Sequence, residues 1–168
     1  MKTLVVLVAQ VLPLAVPAVA ALVWLTMPRA TKVTLAVQGA IALVVVLALI
    51  QVAAGLHSDP RPFAVDPALR PYFAHPADNG FPSDHTALAA TVAFLVMRYR
   101  TRLGAVLLTA SIIGGAARVI AHVHHTQDIA AGVLLAALAV AAATVAWRWV
   151  GPRLPGNMLH EGDRGRRA

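Results

Sequence analysis

The chain has 168 residues, about one domain's worth, with 59% hydrophobic and 12% charged residues and a mean hydropathy of +0.73. These values exclude an ordinary water-soluble domain and describe a bundle whose solvent is lipid. A net charge of +7 invites a nucleic-acid partner, but the basic residues sit at the ends of apolar runs rather than along one face, and the absence of cysteine leaves no role for disulfides.

The first apolar run, residues 4–25, is broken only by Gln10, and the second, 33–56, only by Thr34, Gln38 and Gln51. Either is long enough to cross a hydrocarbon core of about 30 Å at about 1.5 Å per residue. Lys2, the first run and Ala18-Val19-Ala20 imitate a cleavable signal peptide, but the apolar stretch continues to Leu25 and reads as a span. A third helix is predicted over 83–97, short for a full crossing, a fourth over 103–120 and a fifth over 126–150. Between the second and third, residues 63–80 carry Pro67, Pro71 and Pro76 with Tyr72 and Phe73, which suits a lid on the membrane surface, with Arg70 as a headgroup contact. Residues 155–168 read as a polar, disordered tail.

Charge sets the direction. Arg29, Lys32, Arg98, Arg100, Arg102, Arg148, Arg153, Arg164, Arg166 and Arg167 fall on one side of the five spans; only Lys2, Arg61, Arg70 and Arg118 fall on the other. The bias puts the larger set in the cytoplasm, the N-terminus outside and the C-terminus inside. Six of the seven histidines and five of the seven acids then share the outer face, and ionisable groups gathered at one end of a bundle mark a site.

Two segments dominate that face: Phe81-Pro82-Ser83-Asp84-His85 and Arg118-x5-His124-x3-Asp128. Ser83 is a natural N-cap, with Asp84 and His85 in the first turn after it, and a helix start attracts phosphate through its unpaired N–H groups and dipole. His85 would be desolvated for no benefit in a purely structural role. Arg118 closes the fourth span, Thr126 is expected to cap the fifth, and His124 lies between them within reach of Asp128. A carboxylate on one imidazole nitrogen fixes the tautomer and leaves the other nitrogen free to attack. Arg61, before Pro62, has the planar fork that suits bidentate phosphate contact. A zinc site built from His122, His124 and His125 is the competing reading, but adjacent rings point apart and the arginines repel a cation; no metal is expected.

These segments resemble the three signature motifs of the type 2 phosphatidic acid phosphatase superfamily, usually K-x6-R-P, P-S-G-H and S-R-x5-H-x3-D. The Pro-Ser-Asp-His form within residues 75–86 looks most like the bacterial undecaprenyl-diphosphatase branch, and the resemblance covers roughly residues 61–132. It implies His124 as a nucleophile forming a phosphohistidine, Asp128 as its orienting partner and His85 as general acid. It also implies Arg61, Arg118 and the helix start at Ser83 and Asp84 as the phosphate site. Two positions depart from the pattern: Ala54 stands for the lysine and Ala117 for the serine. His57, one turn after Ala54 and about 4.5 Å nearer the water, is a candidate replacement for the missing ammonium.

The expectation is therefore an all-α polytopic membrane bundle of about five transmembrane helices. Residues 1–154 would form a single phosphatase domain, a version of a six-span architecture lacking one N-terminal helix, and 155–168 a cytoplasmic tail. It would hydrolyse undecaprenyl diphosphate to undecaprenyl phosphate at the extracytoplasmic face of a bacterial inner membrane, without cofactor. Its partners would be the lipid diphosphate and membrane lipids, with no nucleic acid. A phosphatidate or phosphatidylglycerophosphate phosphatase would use the same chemistry. Outside the enzyme class stand a small histidine-lined transporter, disfavoured by the lack of ionisable mid-span residues, and a catalytically dead lipid-binding protein, disfavoured because nucleophile and acid are both present.

Overall fold

Proline or basic residues flank most of the helix ends, although Pro13 and Pro17 lie inside the first helix. In the computed structural model, which describes residues 1–153, the elements are α1 Lys2–Leu25, α2 Arg29–Leu56, α3 Pro62–Val65, α4 Asp84–Met97, α5 Thr101–Ile120 and α6 Thr126–Val150, followed by a 3-10 turn, Gly151–Arg153. The expected tail over 155–168 lies outside the described residues. There is no strand among the described residues, only an isolated antiparallel bridge between Pro60 and Asn79.

α1, α2, α5 and the run Thr126–Arg153 are long and apolar enough to cross a membrane. α4 has 14 residues, so it rises only about 21 Å. Its position accounts for that: it is the central helix. Ala89, Ala93 and Val96 pack with Val16 and Ala20 of α1 and Leu107 of α5, while Leu95 packs with Leu35 and Ala42 of α2 and Val140 and Ala143 of α6. Ala87 joins Val46, Ile50 and Ala139 in a third cluster. α1, α2, α5 and α6 form a wall around α4, with α1 against α5 and α2 against α6, whereas α1 and α2 pack little against each other. Leu4, Leu7, Leu22, Val44, Leu134 and Val145 stay exposed on the outer faces, as expected when the surrounding medium is hydrocarbon.

Small residues let α4 sit this deep. A Cβ on Gly132 would lie 2.9 Å from the Ser83 carbonyl oxygen, and one on Gly115 would lie 2.6 Å from Ile129 Cγ2 and 3.0 Å from Thr86 Oγ1. Close backbone approach of this kind substitutes for the hydrophobic drive that helices lack in lipid.

Three local expectations need correction. α5 starts at Thr101, two residues earlier than predicted. His125, not Thr126, is the N-cap of α6, in a capping box whose other member is Asp128. Ser83 does occupy the N-cap position of α4, but its hydroxyl is fully buried and pairs with Thr86 Oγ1 at 3.1 Å instead of capping a backbone N–H. The segment 63–80 begins with the short α3, whose first residue Pro62 is suited by its fixed φ.

Candidate active site

The end of α2, the segment 59–85, the last turn of α5 and the 121–125 connection meet at one end of the bundle, opposite the connections 26–28 and 98–100. The site-side segments enclose a cavity of about 240 Å³ lined by, among others, Arg61, Asp84, His85, Arg118 and His124. Five of the eight residues expected at the site therefore converge on one space. Asp128 lies behind His124, while Ser83 and His57 are absent from the lining. The His57 ring instead packs edge-on against Phe81 at 4.7 Å between centroids, and Ala54 faces the cavity in its place.

His124 is 3% exposed. Its Nδ1 lies 3.1 Å from the Gly80 carbonyl oxygen and 3.2 Å from Asp128 Oδ2. Both neighbours are acceptors, so Nδ1 must carry the proton. Nε2 is then the lone-pair nitrogen, and Arg61 Nη1 approaches it at 3.4 Å from the cavity side. Burial, followed by the charges of Arg118 and Arg61, outweighs the Asp128 hydrogen bond and holds the His124 pKa below its ordinary value. The neutral, proton-on-Nδ1 imidazole is the form a nucleophile requires.

Asp128 is fully buried; its Oδ2 also accepts the His125 backbone N–H at 2.8 Å. Gly80 makes this possible, since a Cβ there would lie 3.3 Å from Asp128 Oδ2 and 3.2 Å from the Asp59 carbonyl oxygen.

Arg61 is 6% exposed and pinned at three points: Nε donates to Asp78 Oδ1 at 2.8 Å, Nη1 to the Val123 carbonyl at 2.7 Å, and Nη1 also faces His124. The hydrogen bond from Arg61 holds the Asp78 carboxyl below the usual carboxylate range. Arg118, 3% exposed, donates from Nη1 to the Ala9 carbonyl at 3.3 Å and from Nη2 to His75 Nε2 at 3.1 Å, and stacks 5.8 Å over the Phe73 ring. Ala9 has a carbonyl to spare because its helical partner would be residue 13, and Pro13 has no N–H. The His75 pKa is lowered by burial and by Arg61, consistent with a neutral ring accepting from Arg118.

Sequence reasoning missed His75, Asp78 and Asn79. All three fall in the segment 63–80 expected to form a lid, and the proline-rich composition around them hid their inward direction. Asn79 is saturated: Oδ1 accepts from Asp59 N at 2.9 Å and Phe81 N at 3.0 Å, and Nδ2 donates to the Ala54 and His57 carbonyls at 3.3 and 3.1 Å. One amide thus ties the end of α2 to the turn carrying Gly80. The Asn-Gly pair was a visible turn signal; its tertiary partners were not.

His85 carries no hydrogen bond among those described and borders three spaces. Besides the polar cavity, it lines a pocket of about 250 Å³ with His75, Phe73 and Gln10, and an apolar groove of about 510 Å³. The groove runs between α1 and α2 over α4, past Pro13, Pro17, Leu43, Leu88 and Leu95. It occupies the gap left where α1 and α2 do not pack.

Residues 33–153 match the PAP2 superfamily. The bacitracin transport permease protein BcrC of Bacillus licheniformis is 35% identical over 139 residues, which cover 82% of this chain and 64% of that relative. A putative undecaprenyl-diphosphatase of Escherichia coli, YbjG, is 29% identical over 155 residues, covering 92% and 77% of the two chains. This chain therefore spans just under two thirds of the length of the first relative. No solved structure matches it.

Proposed function

We propose, taking as premise that the chain belongs to the PAP2 superfamily, that this multi-pass membrane protein is a lipid phosphatase that hydrolyses undecaprenyl diphosphate to undecaprenyl phosphate and inorganic phosphate. The observation that carries the reading is the orientation of His124: Nδ1 is bound by Gly80 and Asp128, and Nε2 faces a cavity that Arg61, Arg118 and His85 also line.

In the first step His124 Nε2 attacks the terminal phosphorus in line and the bond to the bridging oxygen breaks. His85 supplies a proton to that oxygen as undecaprenyl phosphate leaves. Asp128 stabilises the positive charge gained by the phosphorylated imidazole. In the second step His85 takes a proton from water, which attacks phosphohistidine and releases inorganic phosphate. Arg61, Arg118 and the N-terminus of α4 neutralise the equatorial oxygens, where most phosphoryl-transfer catalysis resides. Asp84 lines the cavity as an acid, so its contribution to phosphate binding comes through its first-turn N–H and not its carboxylate.

The apolar groove supports a lipid substrate. It has the volume of a small-molecule site and meets the polar cavity at His85, so a tail in the groove places a headgroup at His124. The charge bias supports an extracytoplasmic site in a bacterial inner membrane. Residues 1–154 serve as one catalytic domain. The deciding experiment is phosphate release by the purified chain from a panel of lipid phosphates. Highest kcat/KM for undecaprenyl diphosphate is expected; a preference for phosphatidate or phosphatidylglycerophosphate would replace the substrate, and no release from any would sink the enzyme reading.

A further inference from the structure

Behind His124, and outside the cavity, three ligand-type side chains converge. Asp59 follows α2, His125 caps α6 and Asp128 sits in its first turn; one ligand atom from each lies within 4.8 Å of the other two. His125 Nδ1 is 2.9 Å from Asp59 Oδ2. Asp128 supplies a second, independent sign. Its Oδ2 is engaged by His124 and His125, but Oδ1 accepts no hydrogen bond although the residue is 0% exposed. An unmatched oxygen on a buried carboxylate costs on the order of 1–3 kcal/mol or more and calls for a partner. The nearby guanidinium groups are committed elsewhere, Arg61 to Asp78 and Val123, Arg118 to Ala9 and His75.

We propose that Asp59, His125 and Asp128 form a divalent-cation site on the far side of Asp128 from His124. One imidazole nitrogen and two carboxylates, with water as a fourth ligand, make a donor set that suits Zn²⁺. Gln127 Nε2 donates to Asp59 Oδ2 and orients that carboxylate from outside the cluster. The His125 side chain is 39% exposed, so the ion has a route from water that does not cross the substrate cavity. None of the three residues lines that cavity, so a bound ion touches no phosphate. It acts on His124 through the shared carboxylate: a cation on Asp128 withdraws the negative charge that supports phosphorylated imidazole. The ion therefore restrains turnover and is not required for it.

The test is calorimetric titration of Zn²⁺ into the chelator-stripped full chain in detergent. One ion per chain is expected, with affinity weakened by about tenfold or more in both Asp59→Asn and His125→Asn. Zn²⁺ should raise the Tm of the parent chain and leave both variants unmoved, a readout that also reveals a variant that fails to fold. Absence of stoichiometric binding, or unchanged affinity in a folded variant of either position, overturns the site. Binding does not depend on the phosphatase reading. The link to His124 does: saturating Zn²⁺ should lower kcat in the parent and not in Asp59→Asn, and a kcat indifferent to bound ion overturns that link alone.

Discussion

Pro13 and Arg118 meet at one carbonyl. Proline leaves Ala9 without its helical donor, and Arg118 Nη1, 109 residues away from Ala9, fills the position. A helix-breaking residue in α1 thereby fixes a guanidinium in the last turn of α5. Pro13→Ala restores the missing N–H and sets it in competition with the arginine. KM should rise about fivefold, the equivalent of one hydrogen bond near 1 kcal/mol, while Tm stays level or rises. A variant with parental KM would show that Arg118 holds its position without Ala9.

His124→Ala should abolish turnover. His85→Ala should lower kcat by about 10²–10⁴ yet still accept phosphate from a substrate with a good leaving group. Rapid quench and detection of acid-labile phosphate on the protein separates the two; equal labelling of the His124 variant would reverse the assignment.

The lowered pKa of His124 fixes the sign of an acid effect. Only the neutral ring attacks, and its folded-state pKa lies below 6.5, so loss of kcat/KM from its protonation begins below that pH. Arg61 is one of the charges holding that pKa down. Arg61→Gln should therefore move the acidic limb toward higher pH, as well as weakening phosphate binding. Comparing the limb between the two proteins avoids confusion with other titrating histidines; an unmoved limb contradicts the electrostatic account.

Asn79→Ala removes four hydrogen bonds at the junction of α2 with the Gly80 turn. Stability should fall on the order of 3 kcal/mol, and kcat should fall with it because the Gly80 carbonyl orients His124. Asn79→Asp keeps the two acceptor contacts and should lie between, as read by thermal unfolding and initial rates.

Orientation is open to chemical labelling because the chain lacks cysteine. Ala68→Cys, exposed on the site side, should react with a membrane-impermeant thiol reagent in intact cells, and Thr101→Cys should not. The opposite pattern would invert the topology and move the site to the cytoplasm.

The long helices were legible because apolar runs between basic clusters have one physical solution in lipid. The convergence of Arg61, His85, Arg118 and His124 was legible because each sits at a span end on the same side. What escaped was side-chain direction. Nothing local distinguishes a Ser83 hydroxyl that caps a helix from one that turns to Thr86, or marks His57 as turned toward Phe81. The same limit hid Asn79, whose four partners come from two separate segments, and Asp59, whose partners lie across the site on α6. The special place of α4 was also hidden, since a short apolar helix gives no sign that four longer ones will surround it.

The position of His85 at the meeting of a polar cavity and an apolar groove bears on traffic as well as on chemistry. The proposed reaction splits one amphiphile into a water-soluble ion and a membrane-soluble carrier. Under that proposal, phosphate would leave through the polar cavity and the carrier through the groove between α1 and α2, the two spaces that meet at His85. On separate routes neither product would obstruct the exit of the other, and neither would cross a medium that rejects it.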